Sequence, residues 1–299
     1  MIIAVASGKG GTGKTTVAVS LALSLAEGRQ RRLDTAPLLL DCDVEEPNAA
    51  LFLGPTIQES WEVGQMIPEV HSEVCTCCGR CAEVCQYHAI AVVGEKVLVL
   101  PELCHGCGSC TLNCPTGAIH EILNVMGTIE RGWEGSVEFA QGTLNVGEPM
   151  PVPIIRRLKQ WAIPPKPGDR PVILDASPGT ACPVVESMLG ADFVLMVTEP
   201  TPFGLHDLRL AVEVARDELS LPVGVVINRD GIGNTAVHDY CAMEGLPILM
   251  RIPLDRCIAE AYSEGKTLVE VYPEYRKRFQ SLFLAVKQLV AMAGGANGQ

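Results

Sequence analysis

The sequence is short of positive charge: 23 Lys and Arg stand against 35 Asp and Glu, a formal net charge of -12. A surface that grips nucleic acid by bulk electrostatics needs clustered Lys and Arg, so no nucleic-acid partner is expected. There is no apolar run near the roughly 18 to 20 residues that span a bilayer, and no membrane association is expected. The opening Met1-Ile2-Ile3-Ala4-Val5-Ala6 has neither the basic segment nor the length of a secretory leader, which makes the cytoplasm the expected compartment. The six histidines show no H-x3-H spacing, so a histidine metal site has no signature. What remains is a globular composition, 47% hydrophobic and 19% charged, in a 299-residue chain that can bury a substantial core.

Cysteine, by contrast, is abundant. Of the thirteen, eight fall into two runs, and without an export signal such thiols read as metal ligands rather than disulfides. The runs are Cys75, Cys78, Cys81, Cys85 and Cys104, Cys107, Cys110, Cys114, each with C-x2-C-x2-C-x3-C spacing and related by an offset of 29 residues. Ala89-Ile90 and Ala118-Ile119 follow the same offset, which implies a duplicated half-module. Residues 71–121 therefore read as an insertion that interrupts a different rhythm.

That rhythm is α/β. Ile2 to Ala6, Leu38 to Leu40, Val172 to Leu174, Phe193 to Val197, Val223 to Ile227 and Pro247 to Ile252 are short apolar runs spaced by helix-length segments, as buried parallel strands require. Thr15 to Ala26 reads as a helix with Val17, Leu21 and Leu25 on one face. Glycine-punctuated β-prone pieces between 122 and 150 predict a hairpin, and Pro164 to Pro171 a connecting loop. Tyr275 to Met292 predicts a last helix packed on the sheet.

Between the first strand and the first helix stands Gly8-Lys9-Gly10-Gly11-Thr12-Gly13-Lys14-Thr15, matching G-x-x-x-x-G-K-[ST]. In such a loop, backbone N–H groups and a helix N-terminus cradle phosphates, Lys14 reaches the β and γ oxygens, and Thr15 offers its hydroxyl to Mg²⁺. With Lys9 it resembles the deviant phosphate loop of the MinD/ParA/Mrp superfamily, to which the nitrogenase iron protein is related. The resemblance covers most of the chain outside the insertion. It implies a P-loop fold, a mainly parallel sheet flanked by helices, with ATP or ADP and Mg²⁺ bound by Gly8 through Thr16, Thr16 included. It further implies that Lys9 crosses an ATP-sandwich homodimer, that Asp43 directs the attacking water with Asp41 in support, and that Asp175 holds Mg²⁺ beside Thr15. Gly179 would stand near the γ-phosphate, and Asn228 would read the base. Lys9, Lys14, Asp43 and Asp175 are then the catalytic set.

The cysteine runs resemble those of bacterial two-cluster ferredoxins, in which the fourth cysteine of each run serves the other cluster. The resemblance implies two [4Fe-4S] clusters, one on Cys75, Cys78, Cys81 and Cys114, the other on Cys104, Cys107, Cys110 and Cys85. Two features depart from it: Gln86 stands where proline is expected, and Cys77 is an extra thiol beside Cys78, read as a bystander, with substitution for a neighbouring ligand as the alternative. Cys182, seven residues after Asp175, has the spacing of the cluster-binding cysteine of the nitrogenase iron protein but no second ligand in view. His88 and His105 read as surface residues. The division expected is an ATPase domain of 1–70 and 122–299 around a ferredoxin-like module of 71–121. The expected function is an ATPase whose homodimer gates electron transfer with a redox or iron-sulfur partner; the alternatives are a cluster-assembly carrier and a positioning ATPase.

Overall fold

The computed structural model describes residues 1–28, 34–166, 168 and 170–296. Its strands are β1 (Ile2–Ala6), β2 (Leu38–Asp41), β3 (Thr56–Val70), β4 (Ile90–Val93), β5 (Lys96–Val99), β6 (Ile119–Glu134), β7 (Val137–Leu144), β8 (Val172–Asp175), β9 (Phe193–Thr198), β10 (Val223–Asp230) and β11 (Ile248–Pro253). Nine of them form one sheet in the order β11-β10-β9-β1-β8-β2-β7-β6-β3. From β11 to β7 every pairing is parallel. The antiparallel strands β6 and β3 complete the sheet.

The apolar runs become inner strands because both faces are covered. Along β1, Ile3 and Val5 join one hydrophobic core and Ala4 and Ala6 the other, the alternation a pleated strand imposes. One core lies under the helices Val152–Ala162, Cys182–Met188 and Pro202–Val212. The other lies under the helices Lys14–Ala26 and Tyr275–Ala296. The first of these is buried well beyond the single stripe expected: Val19, Ser20 and Ser24 are enclosed too. The helix is sandwiched between the sheet and the last helix, whose Phe279, Leu282 and Val286 are buried in the same core. Ser24 copes with burial by donating its hydroxyl to the Ser20 carbonyl at 2.6 Å.

The predicted hairpin is β6 and β7, turning at Gly135 and Ser136. The 15-residue β3 had no sequence signal. Glu59, Glu62 and Pro68 interrupt its apolar pattern, and only Val63, Ile67 and Pro68 are buried, so as an edge strand it resembles a polar loop. The predicted loop 164–171 lies in part outside the described residues.

β7 covers only Gly127–Glu134 of β6. Beyond it, Gly64–Val70 and Ile119–Val125 project as a two-stranded ribbon, about 25 Å long at strand rise. At its tip Val70 pairs with Ile119. The chain between them forms the hairpin β4–β5 and the short helices Arg80–Val84 and Ser109–Leu112.

Candidate functional site

β1 delivers the chain to the glycine-rich loop at the carboxyl end of the sheet, where ligands of open α/β sheets bind. Two glycines are required there by close approach. A Cβ at Gly8 would lie 2.2 Å from the Asp207 carbonyl oxygen, and one at Gly13 would lie 2.3 Å from Asn228 Nδ2. Gly13 also holds φ 91°, a left-handed conformation. Asn228, on β10, was expected to read the base; it donates from Nδ2 to the Thr12 carbonyl at 2.7 Å and so braces the phosphate loop.

Three carboxylates at strand ends converge on Lys14. Its Nζ donates to Asp175 Oδ1 at 2.8 Å and lies 3.9 Å from Asp43 Oδ2. Burial alone would lower the Lys14 pKa, but the charge and hydrogen bond of Asp175, with Asp43 and Asp41 behind it, raise it instead. Asp41 is fully buried, and accepts backbone N–H groups from Asn48 and Ala49 at 2.9 Å and Asp43 at 3.1 Å. Burial, then the charge of Asp175, nevertheless pushes it up to about 7. Burial likewise pushes Asp43 up to about 6 against the opposing pull of Lys14.

The site is electrically unfinished. Asp175 Oδ2 and Thr12 Oγ1 are buried without a hydrogen-bond partner among the described residues. Such orphans are costly unless a ligand meets them, and an unpartnered buried carboxylate oxygen fits a hydrated divalent cation. Thr15 is buried at the start of the helix, and Gly179 N donates to the Ser7 carbonyl at 2.9 Å, holding the segment after β8 against the loop. Lys9 is half-buried, with Nζ 3.4 Å from Glu199 Oε2; Glu199 also pairs with Arg229.

Beside Gly11, Gly13 and Thr16 opens a cleft of about 240 Å³ between the loop and the helix Arg256–Ser263. Pro253, Asp255, Ile258 and Tyr262 wall it, and none was singled out from sequence. The available signal was Asp255, which follows a strand and caps this helix by accepting from Cys257 N at 2.7 Å. Glu199 and Arg229 were also missed, since isolated charges at strand ends have no distinguishing pattern.

The cysteines ring two cavities, one at the ribbon's tip beside Val70 and Ile119 and one along the ribbon beside Met66, Pro68 and Glu121. Cys75, Cys78, Cys81 and Cys114, with Cys77, wall the first; Cys85, Cys104, Cys107 and Cys110 wall the second. Each cavity thus draws three thiols from one run and the fourth from the other. The 29-residue offset is kept in the hydrogen bonds: Cys77 N donates to Cys75 Sγ and Gly106 N to Cys104 Sγ, both at 3.5 Å. Ala89 N donates to Cys85 Sγ and Ala118 N to Cys114 Sγ, both at 3.3 Å. Backbone N–H groups aimed at sulfur favour thiolate, and the Ser109 hydroxyl lowers the Cys107 thiol further. No group of three or more His, Cys, Asp or Glu side chains among the described residues converges as a single-ion site. Rings of four thiols around open cavities fit a cubane, whose irons are each met by one sulfur.

His88 and His105 are exposed; His105 stacks on Tyr87 with ring centroids 3.9 Å apart and lines the second cavity. Cys182 is exposed in the first turn of its helix and lines neither cavity. Among the described residues no helix is long and apolar enough to cross a membrane.

The root of the ribbon is bonded to the loop after β2. Leu144 N, at the end of β7, donates to the Val44 carbonyl at 2.8 Å, and the Val44 side chain packs in the core that holds Val63, Met126 and Ile129 of β3 and β6. Cys42 N donates to the Asp175 carbonyl at 2.9 Å, so the Asp41–Val44 segment touches both carboxylate-bearing strands and the ribbon.

Among solved structures, the cell division ATPase MinD of Pyrococcus furiosus superposes with a TM-score of 0.56 at 22% identity, covering 96% of this chain and 98% of that one. Pyrococcus horikoshii MinD complexed with Mg-ADP gives 0.54 at 21%, covering 98% and 97%. Both establish the fold: a P-loop sheet flanked by helices. An uncharacterized protein of Methanocaldococcus jannaschii is 29% identical over 94% of this chain and 96% of its own length. A second from that organism is 33% identical over 78% and 80%. The iron-sulfur cluster carrier protein of Aquifex aeolicus is 26% identical over 97% of this chain and 68% of its own. The CobQ/CobB/MinD/ParA nucleotide binding domain family matches residues 3–269, and this chain belongs to it.

Proposed function

We propose that the protein is a Mg²⁺-dependent ATPase whose nucleotide state controls electron transfer by a two-cluster, ferredoxin-like module. The module would be residues 71–121 and the ATPase domain 1–70 with 122–299. The observation that carries this reading is that one thiol cavity stands at the tip of the ribbon and the other along it, against Met66, Pro68 and Glu121, while the root of the ribbon is bonded, through Val44, to the segment bearing Asp41 and Asp43.

Gly8, Gly10, Gly11, Thr12, Gly13 and Thr16 present the phosphate cradle. Lys14 leaves Asp175 to neutralise the β and γ oxygens, which frees Asp175, with Thr15, to hold hydrated Mg²⁺. Magnesium, when bound, draws charge from the phosphoryl oxygens. Asp43 orients the attacking water, and its raised pKa suits a group that takes a proton near neutrality. Gly179 stays beside the γ-phosphate position and Asn228 keeps the loop closed under the base. Lys9 exchanges Glu199 for the phosphates of a second protomer, making a homodimer. Cys75, Cys78, Cys81 and Cys114 hold one cluster, and Cys104, Cys107, Cys110 and Cys85 the other. The clusters supply one-electron carriers, and the thiols hold them with full ligation from one chain.

A second reading, cluster delivery, is favoured by the 26% identical relative named as a carrier. Full four-thiolate ligation argues against it, because delivery must break every iron–sulfur bond to the protein while an electron leaves without changing a ligand. Incubating iron-labelled protein with an apo acceptor and ATP separates the two. Electron transfer predicts reversible reduction with the label retained, whereas rapid ATP-dependent loss of intact clusters to the acceptor establishes the carrier.

A further inference from the structure

The two thiol cavities are not equivalent, and the difference lies at one position. The offset of 29 residues places Cys77 on Gly106. Both have left-handed backbone, φ 51° and 62°. Glycine takes that conformation freely, whereas a residue with a Cβ is strained there. Gly106 is what the turn calls for; Cys77 keeps a side chain against that preference. Its thiol lines the first cavity with the four ligands assigned above, so five sulfurs surround that cavity and four surround the second.

The neighbouring ligands add the second half of the argument. Cys78 and Cys107, the second cysteine of each run, are exposed, while Cys81 and Cys104 are buried. The exposed thiolate is the ligand most open to loss by protonation or oxidation. At Cys78 a spare thiol stands one residue away. At Cys107 the equivalent neighbour is a glycine. Cys77 also borders a second, open cavity with Ser72, Thr76, Glu95 and Lys96, which gives the loop room to turn.

We propose that Cys77 is a reserve ligand of the first cluster, able to replace Cys78, and that the second cluster has no such reserve. In the exchange the Cys78 Sγ–Fe bond breaks and a Cys77 Sγ–Fe bond forms. The proton leaving the Cys77 thiol is taken up by the released Cys78 thiolate, so no electrons move and no oxidant is needed. The inference rests on the two-cluster reading, which the unaltered protein tests separately: about eight iron per chain is expected, and about four or none overturns that reading itself.

The reserve ligand is tested by iron and sulfide counts on full-length protein prepared anaerobically, with electron paramagnetic resonance of the reduced state. Cys78→Ala keeps about eight iron, and its first-cluster signal is shifted rather than lost. Cys107→Ala falls to about four, and the double variant Cys77→Ala/Cys78→Ala also falls to about four. Loss of half the iron from Cys78→Ala alone overturns the proposal. Should Cys78→Ala not accumulate, Cys77→Gly decides the matter in air-equilibrated buffer. The first cluster then decays as fast as the second, where in the unaltered protein it outlasts it. Unchanged survival of the first cluster in Cys77→Gly also rejects the reserve role.

Discussion

The sheet and the module at the end of the ribbon are stabilised by different means. On either side of the sheet lie continuous apolar cores reaching from Ile3 to Phe279 and from Ala4 to Val237. The module has two small clusters, Ile67 with Ala89 and Cys104, and Cys81 with Ile90 and Ile119, in which cysteine is a principal constituent. At about 25 cal/mol per Å² the first region can hold its fold by burial alone. The second is too small for that and resembles the small domains that depend on metal. Nucleotide would therefore be a ligand of a finished structure, while the proposed clusters would be part of theirs.

The largest expected effect follows directly. Removing iron with a chelator under reducing conditions unfolds the module, so that limited proteolysis cuts within 71–118 while β1 and the helix Lys14–Ala26 stay intact. Cutting confined to the sheet domain, or none, breaks the comparison. Next in size is Lys14→Ala, which removes the only cation in contact with Asp175 among the described residues. Hydrolysis should fall by on the order of 100-fold or more. Iron content should not change, because Lys14 lines neither thiol cavity; a loss of iron would show the two regions to be one folding unit.

Much of this division is legible in the residues and some is not. The phosphate loop and cysteine runs are legible because glycine and thiol at fixed spacing have few other uses. The inner strands are legible because burial on both faces demands unbroken apolar runs. β3 is not, since an edge strand is free to carry Glu59, Glu62 and Pro68. Nor is the buried ion cluster of Arg131, Arg170 and Glu138, which ties β6, β7 and the segment before β8 together. Arg170 is 32 residues from Glu138, and charge in a strand ordinarily marks a solvated face. Asn228 shows a subtler limit: its type and strand-end position are visible, but its bond to the Thr12 carbonyl depends on Gly13 leaving room.

A smaller effect concerns self-association. With Mg-ATP, Asp43→Ala should sediment as a dimer that Lys9→Ala weakens, since among the described residues the Lys9 ammonium is held at home only by a half-exposed pairing with Glu199. A monomer at saturating ATP contradicts the role assigned to Lys9. The smallest effect is that of pH on the nucleotide-free protein. Burial raises Asp41 from 3.8 to about 7, so the neutral form favours folding; that contribution is present in acid and lost as pH rises through about 7. The melting temperature should fall between about pH 5 and about pH 8 by several degrees, and less in Asp41→Asn. Equal slopes in the two proteins would show that Asp41 is not neutral in the empty site.

The central claim is that nucleotide state reaches the clusters through the ribbon. Amide exchange on anaerobic, cluster-loaded Asp43→Ala, with and without Mg-ATP, tests it most directly. Protection should rise in 41–49, in the β6–β7 stretch 125–145 that meets Val44, and in the cysteine loops 75–81 and 104–110. Protection confined to the phosphate loop and 41–49, with the ribbon and the cysteine loops unchanged, would contradict the account.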